Sequence, residues 1–259
     1  MLPLMESFLS IQGEGARSGH LSVFVRFGGC NFSCKGFGVK YTDPEGNEKV
    51  GWDSYYSVDQ KFKKSWDFLS YTEIINRINN LISGANLESV RPDIVITGGE
   101  PTMYWSNAEF QNVLIYYISR GHKITIETNG SLDVTFDKAY QREIIFSMSV
   151  KLAVSGEAEH RRINIDNLSN ILENSPNSYF KFVIDGAHAD KVAVEIENII
   201  KEIPWYSDIF LMPLGETTEI LSKNALPTVE LAIKKGWKYS DRLHIRLWEN
   251  KAGVWLSHL

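Results

Sequence analysis

The chain of 259 residues has only two cysteines, which excludes a disulfide framework. It has no apolar run approaching the roughly 20 residues that cross a bilayer as a helix. Met1–Ser10 lacks both a basic n-region and a long apolar h-region, so the expectation is a cytoplasmic chain with no signal peptide and no membrane role. An excess of positive charge is missing too. The 27 lysines and arginines face 32 aspartates and glutamates, for a net charge of −5. That argues against broad binding to nucleic acid or anionic membrane, and no nucleic-acid-binding motif stands out. There is no repeat of fixed period and no low-complexity tract. A composition of 43% hydrophobic and 23% charged residues excludes a disordered chain. A chain of this length buries roughly 70–75% of its unfolded surface and folds without a covalent or metal staple.

What is present is a rhythm of strand-like and helix-like runs. Leu21–Phe27, Asp93–Thr97, Lys123–Thr128, Glu143–Ser149, Tyr179–Ile184, Asp208–Met212 and Leu243–Trp248 have the length and composition of buried strands. Ser70 and Glu73 have capping-box spacing before Ile74, Ile75, Ile78, Leu81 and Ile82. Ser106 and Glu109 repeat the device, and Gly121 suits the end of that helix. Asp190–Ile203 and Thr228–Gly236 are further amphipathic candidates. Alternating strands and helices predict parallel pairing with right-handed crossovers. The fold class is α/β, either an open doubly wound sheet or a closed or partial β/α barrel.

One stretch breaks the rhythm. Residues 35–67 are polar and turn-rich, with an aromatic group of Trp52, Tyr55, Tyr56, Phe62 and Trp66. The aromatics are expected to form a small satellite core, and Lys61, Lys63 and Lys64 a solvated face.

Ligands of parallel β/α folds bind at the carboxyl ends of the strands. Directly after the runs stand Gly28–Cys34, Gly98-Gly99-Glu100-Pro101, Glu127-Thr128-Asn129-Gly130, Ser147–Lys151 and Met212–Gly215. Two glycines beside a carboxylate offer acceptors to an ammonium group, although the same tetrapeptide serves as an ordinary strand-to-helix turn. Both cysteines fall in one Cys30-x3-Cys34 window, which favours a metal or cluster over two inert buried thiols. Zinc fits poorly, since no His-x3–5-His partner is near and the six histidines are scattered. A cysteine–histidine catalytic pair has no local support.

These motifs resemble the radical S-adenosylmethionine enzymes. Ser10–Gly15 with its QGEG, Phe24-Val25-Arg26, GGEP at 98–101, ETNG at 127–130, Leu211-Met212-Pro213 and His244–Asn250 make the chain similar to the 7-carboxy-7-deazaguanine synthases over nearly its full length. The resemblance implies a single domain over residues 1–259 folded as a partial, incomplete β/α barrel. It implies a 4Fe-4S cluster on three cysteines in C-x3-C-x2-C, with one iron open to chelate S-adenosylmethionine. It further implies a 5′-deoxyadenosyl radical that takes hydrogen from 6-carboxytetrahydropterin, whose ring contracts to a 7-deazapurine with loss of ammonia. A magnesium ion, a flavodoxin-like electron donor and a homodimer belong to the same expectation. Carried over by position, Cys30 and Cys34 would be cluster thiolates. Gly98, Gly99 and Glu100 would hold the amino group of S-adenosylmethionine, with Glu127, Asn129, Ser149 and Lys151 along its ribose and carboxylate. Gln12, Glu14, Arg26, Thr97 and His244 would face the pterin. Ser149-Val150-Lys151 departs from the family's Ser-Pro-Lys but keeps the polar ends.

The third cysteine is missing. Position 37 is Phe37, whereas Trp52-Asp53-Ser54-Tyr55-Tyr56 echoes the family's Cys-Asp-Thr and following tyrosine. This implies a loop insertion over 35–51, with Trp52 on the displaced third-ligand site and Ser54 in place of a magnesium-binding threonine. Indole is a donor only and does not ligate iron. Three functions follow: the synthase, a cluster-deficient binding protein for a pterin, nucleoside or protein partner, and a glycyl-radical activase. QGEG and His244–Asn250 speak against the last.

Overall fold

In the computed structural model the described residues are 1–35, 38–52 and 54–249. Phe37, Asp53 and Asn250, each part of a motif above, lie outside the described residues. The strands in chain order are β1 (Leu2–Ile11), β2 (Leu21–Phe27), β3 (Val39–Thr42), β4 (Glu48–Gly51), β5 (Asp67–Leu69) and β6 (Asp93–Gly98). They continue as β7 (Ile124–Thr128), β8 (Ile145–Met148), β9 (Tyr179–Ile184), β10 (Ile209–Pro213) and β11 (Lys238–Tyr239). Nine form one open sheet in the order β11-β10-β9-β8-β7-β6-β2-β1-β5. From β2 to β11 all pairings are parallel, and β1 pairs antiparallel with both β2 and β5. The sheet does not close, as a partial barrel requires. No helix among the described residues is long and apolar enough to cross a membrane.

The inner parallel strands are covered on both faces, so they read as continuous apolar runs. Every residue of β9 is buried, and so is every residue of β6 before Gly98. The helix Tyr71–Gly84 starts at the expected capping box: Ser70 Oγ accepts from Glu73 N and Glu73 Oε2 from Ser70 N. It buries Ile74, Ile75, Ile78 and Ile82 against the sheet. Each such side chain contributes roughly 1.5–3 kcal/mol on burial.

Three expectations are corrected. Leu243–Trp248 is a helix, not a strand. Alternation over six residues does not separate the two periods. Here β11 already ends the sheet, and Leu243 N donates to Gly13 O at 3.0 Å while Arg246 N closes back on Arg242 O. The cap of helix Ala108–Ile118 is Asn107 rather than Ser106. Asn107 Oδ1 accepts from Glu109 N, and Glu109 turns outward to accept from Tyr71 N at 2.7 Å. Finally, 35–67 is not a plain loop. It holds the hairpin β3–β4, whose register pairs Val39 with Gly51, and short helical turns that follow. Its aromatics do pack: Tyr55 stacks on Tyr41 with ring centroids 4.2 Å apart, beside Phe62.

Candidate active site

The loops leaving β2, β6, β7 and β8, with Lys181 and Val183 of β9, meet the end of β1 and the helix Leu243–Trp248 around a cavity of about 300 Å³. That suits a small organic guest. Of the residues selected from sequence, Gln12, Glu14, Arg26, Cys30, Cys34, Ser54, Thr97, Gly98, Gly99, Glu127, Asn129, Ser149, Lys151 and His244 line this one cavity. Glu100 does not.

Cys30 is half-buried and Cys34 buried at a positive φ of 45°. Glu157 Oε1 holds their loop from behind, accepting from Ser33 N at 2.8 Å and Cys34 N at 3.2 Å. Arg161 donates to Asn31 O at 2.8 Å. Burial, with the Glu100 carboxylate nearby, pushes the Cys30 thiol up to about 12. Burial raises Cys34 as well. Both are therefore thiols until a metal displaces the proton.

The hairpin β3–β4 returns the chain beside the cysteine loop, so that a Cβ on Gly51 would lie 3.8 Å from Ser33 O. Trp52 comes next and lines the cavity together with Cys30 and Cys34. Lys151 Nζ stands 5.5 Å from its ring centroid.

The glycines of GGEP serve the backbone before any guest. A Cβ on Gly99 would lie 1.9 Å from Gly29 O and 3.0 Å from Cys30 Cβ. Gly98, at φ +136°, would clash with Phe27 O. The β6 loop thus nests against the cysteine loop, with Glu100 N donating to Gly29 O at 2.8 Å. Gly99→Ala is expected to cost about 3 kcal/mol or more. On a chain of this size that lowers Tm by roughly 6–12 °C. A thermal melt within 1–2 °C of the parent would refute this backbone reading.

Glu100 is 1% exposed, and protein donors engage both carboxylate oxygens. Oε1 accepts from Thr102 N, Thr102 Oγ1 and Thr128 Oγ1, and Oε2 from Asn129 N at 2.7 Å. Burial raises this carboxyl against the pull of those donors. The carboxylate clamps the β6 and β7 loops together beneath the cavity. Asn129 carries the tie onward, its Nδ2 donating to Asn31 Oδ1 at 2.9 Å in the cysteine loop.

The other end of the cavity is a charged network. Thr97 Oγ1 donates to Glu127 Oε2 at 2.7 Å, and Gln12 Nε2 approaches Glu127 Oε1 at 3.4 Å. Glu14 lies between Lys181 Nζ at 2.6 Å and Arg242 Nε at 3.1 Å, with His244 Nε2 at 3.8 Å. Arg26 Nε pairs with Glu6 at 2.7 Å, and its Nη1 lies 3.5 Å from Ser54 Oγ. Sequence reasoning missed Lys181 and Arg242, which also line the cavity. A lone lysine in the apolar run Tyr179–Ile184 was the available signal for Lys181. Arg242 carried none.

A family model described as a 4Fe-4S single cluster domain matches residues 11–174, more than half of the chain. A 7-carboxy-7-deazaguanine synthase of Methanospirillum hungatei is 30% identical over 241 residues, covering 90% of this chain and 84% of the relative. The chain belongs to the 7-carboxy-7-deazaguanine synthase family. A synthase of Rhodopirellula baltica is 29% identical over 268 residues, covering 98% of this chain and 89% of its own. The crystal structure of QueE from Escherichia coli superposes with a TM-score of 0.61 at 19% identity and covers 94% of both chains, which is a likeness of fold.

The family's cluster does not fit the donors found here. A synthase-type cluster calls for three thiolates; this chain has two, with an indole beside them. Among the described residues no group of three or more His, Cys, Asp or Glu side chains is placed to hold a metal ion. The rest of the cavity carries acceptors, amides and paired charges.

Proposed function

We propose that this chain carries the 7-carboxy-7-deazaguanine synthase pocket, serving the conversion of 6-carboxytetrahydropterin to 7-carboxy-7-deazaguanine with loss of ammonia. In this reading S-adenosylmethionine lies along the Gly98–Gly99 backbone, Asn129, Ser149 and Lys151. The pterin lies toward Gln12, Glu14, Arg26, Thr97 and His244, and Glu127, placed from sequence along S-adenosylmethionine, is moved to the pterin side because Thr97 Oγ1 and Gln12 Nε2 reach its carboxylate. Glu100 acts by holding the loops that carry these groups. The supporting observation is that both residue sets line one cavity, with Cys30 and Cys34 on its wall. Ser54 is the side chain a magnesium ion would meet, an external reductant supplies the electron, and a homodimer completes the reading. Dependence of turnover on added magnesium tests the first of these.

A second reading has one specific observation behind it: an indole, Trp52, lines the cavity beside Cys30 and Cys34; in that reading it stands where a third ligand would be, and the chain binds both molecules without turning them over. One experiment separates the two. The unaltered chain and Trp52→Cys are reconstituted anaerobically with iron, sulfide and reductant, then given both substrates. Product from Trp52→Cys supports the synthase pocket. Product from the unaltered chain as well removes the binding-only reading. Absence of both pterin binding and product in both proteins overturns the synthase reading.

A further inference from the structure

Lys181 sits in the middle of β9, 4% exposed, on a strand whose every residue is buried. Removing an ammonium from water is costly, and an apolar residue of similar volume often serves a purely structural position as well or better. Lys181 is kept company instead. Its Nζ lies 2.6 Å from Glu14 Oε2 and 3.7 Å from Glu127 Oε1. The two carboxylates come from elements far apart in sequence, the end of β1 and the end of β7. Both line the cavity, as does Lys181.

We propose that Lys181 is a positioning residue: it holds the Glu14 and Glu127 carboxyl groups side by side, so that they accept N–H groups of the guest's nitrogen-rich ring. This rests on the synthase reading, which makes the guest a pterin. Lys181 is faced by Glu14, Glu127 and Tyr179; Glu14 by Lys181, Arg242 and His244; and Glu127 by Lys181, Tyr179 and Arg26. Burial pushes the Glu14 carboxyl up, but Lys181, Arg242 and His244 together outweigh it and hold it well below the usual carboxylate range. A depressed carboxyl contributes stability above its ordinary range, lost as pH falls through the folded value. With Lys181 gone, that loss moves toward mild acid.

The test uses the whole chain, with 6-carboxypterin as a fluorescent probe, titrated from pH 5 to 8 for the parent, Lys181→Met and Lys181→Arg. Lys181→Met is expected to bind about 10-fold more weakly at pH 7 or worse, and to lose further affinity toward pH 5. Lys181→Arg, which keeps the charge, is expected to stay within about threefold of the parent. In parallel, the side-chain carboxyl carbons of ¹³C-labelled glutamate report Glu14 directly, titrating at higher pH in Lys181→Met. Should Lys181→Met fail to fold, Lys181→Gln takes its place in both measurements. A Lys181→Met protein of lower Tm whose affinity and pH profile match the parent overturns the proposal in favour of a purely structural lysine. If the parent binds neither 6-carboxypterin nor 6-carboxytetrahydropterin and makes no product, the synthase reading fails. The carbon titration then decides Lys181 alone, and an unmoved Glu14 overturns its role.

Discussion

Trp52→Cys is expected to raise the iron bound after anaerobic reconstitution to about four per chain, with the unaltered chain well below that. Cys30 and Cys34 already share the cavity wall with position 52. Hairpin β3–β4 closes with Gly51 beside Ser33, so the following residue is delivered to the same wall. An indole N–H donates but has no lone pair for iron, whereas a cysteine there completes a three-thiolate set and leaves one iron open. Trp52 is half-buried, and the loss of its cation–π contact with Lys151 costs roughly 0.5–1 kcal/mol. Iron and sulfide content, the visible absorption band and the reduced-state paramagnetic signal are the readouts. An unchanged iron content in the variant would reject position 52 as the ligand site. Four irons in the unaltered chain would mean that a non-cysteine group completes the cluster.

Glu100→Ala is expected to be among the most destabilising single changes in the molecule. The carboxylate accepts from four buried donors on two loops: Thr102 N, Thr102 Oγ1, Thr128 Oγ1 and Asn129 N. The threonine hydroxyls rotate to new partners, but the two amides do not. Each buried amide left unpaired costs about 1–3 kcal/mol, so a total of about 2–6 kcal/mol follows. That lowers Tm by roughly 4–24 °C. Glu100→Gln keeps the volume but turns an NH₂ toward one set of donors, and it is expected to fall between parent and alanine variant. Because Asn129 ties this clamp to Asn31, the loss also loosens the cysteine loop. If Glu100→Ala melts within 2 °C of the parent while S-adenosylmethionine binding is abolished, Glu100 acts on the guest and not on the loops.

The strand ladder was legible because its inner strands are covered on both faces. Asp93–Thr97 and Tyr179–Ile184 have no room for polar alternation, so composition alone marks them. The Ser70–Glu73 cap was legible because a cap is a local bond between residues three apart. Leu2–Ile11 was harder to see. It carries Glu6, Ser7 and Ser10 among its apolar residues, and it joins the sheet antiparallel, outside the alternating rhythm. Leu243–Trp248 misled because six residues hold fewer than two helical turns of pattern.

The sequence by itself determined the alternation of strands and helices, the rim on which the polar residues gather, and that only two thiols are present. Those follow from local apolar pattern, from the chain direction shared by parallel strands, and from a count. Only the tertiary structure decided three further matters. Trp52 returns to the cysteine wall because hairpin register sets where the chain re-enters. Glu100 turns under the loops because four donors from two strand ends converge there. Lys181 meets Glu14 across 167 residues of chain because β9 and the end of β1 face the same cavity. Long-range electrostatic pairing leaves no periodic mark in the sequence, and it is what shapes the charged end of this pocket.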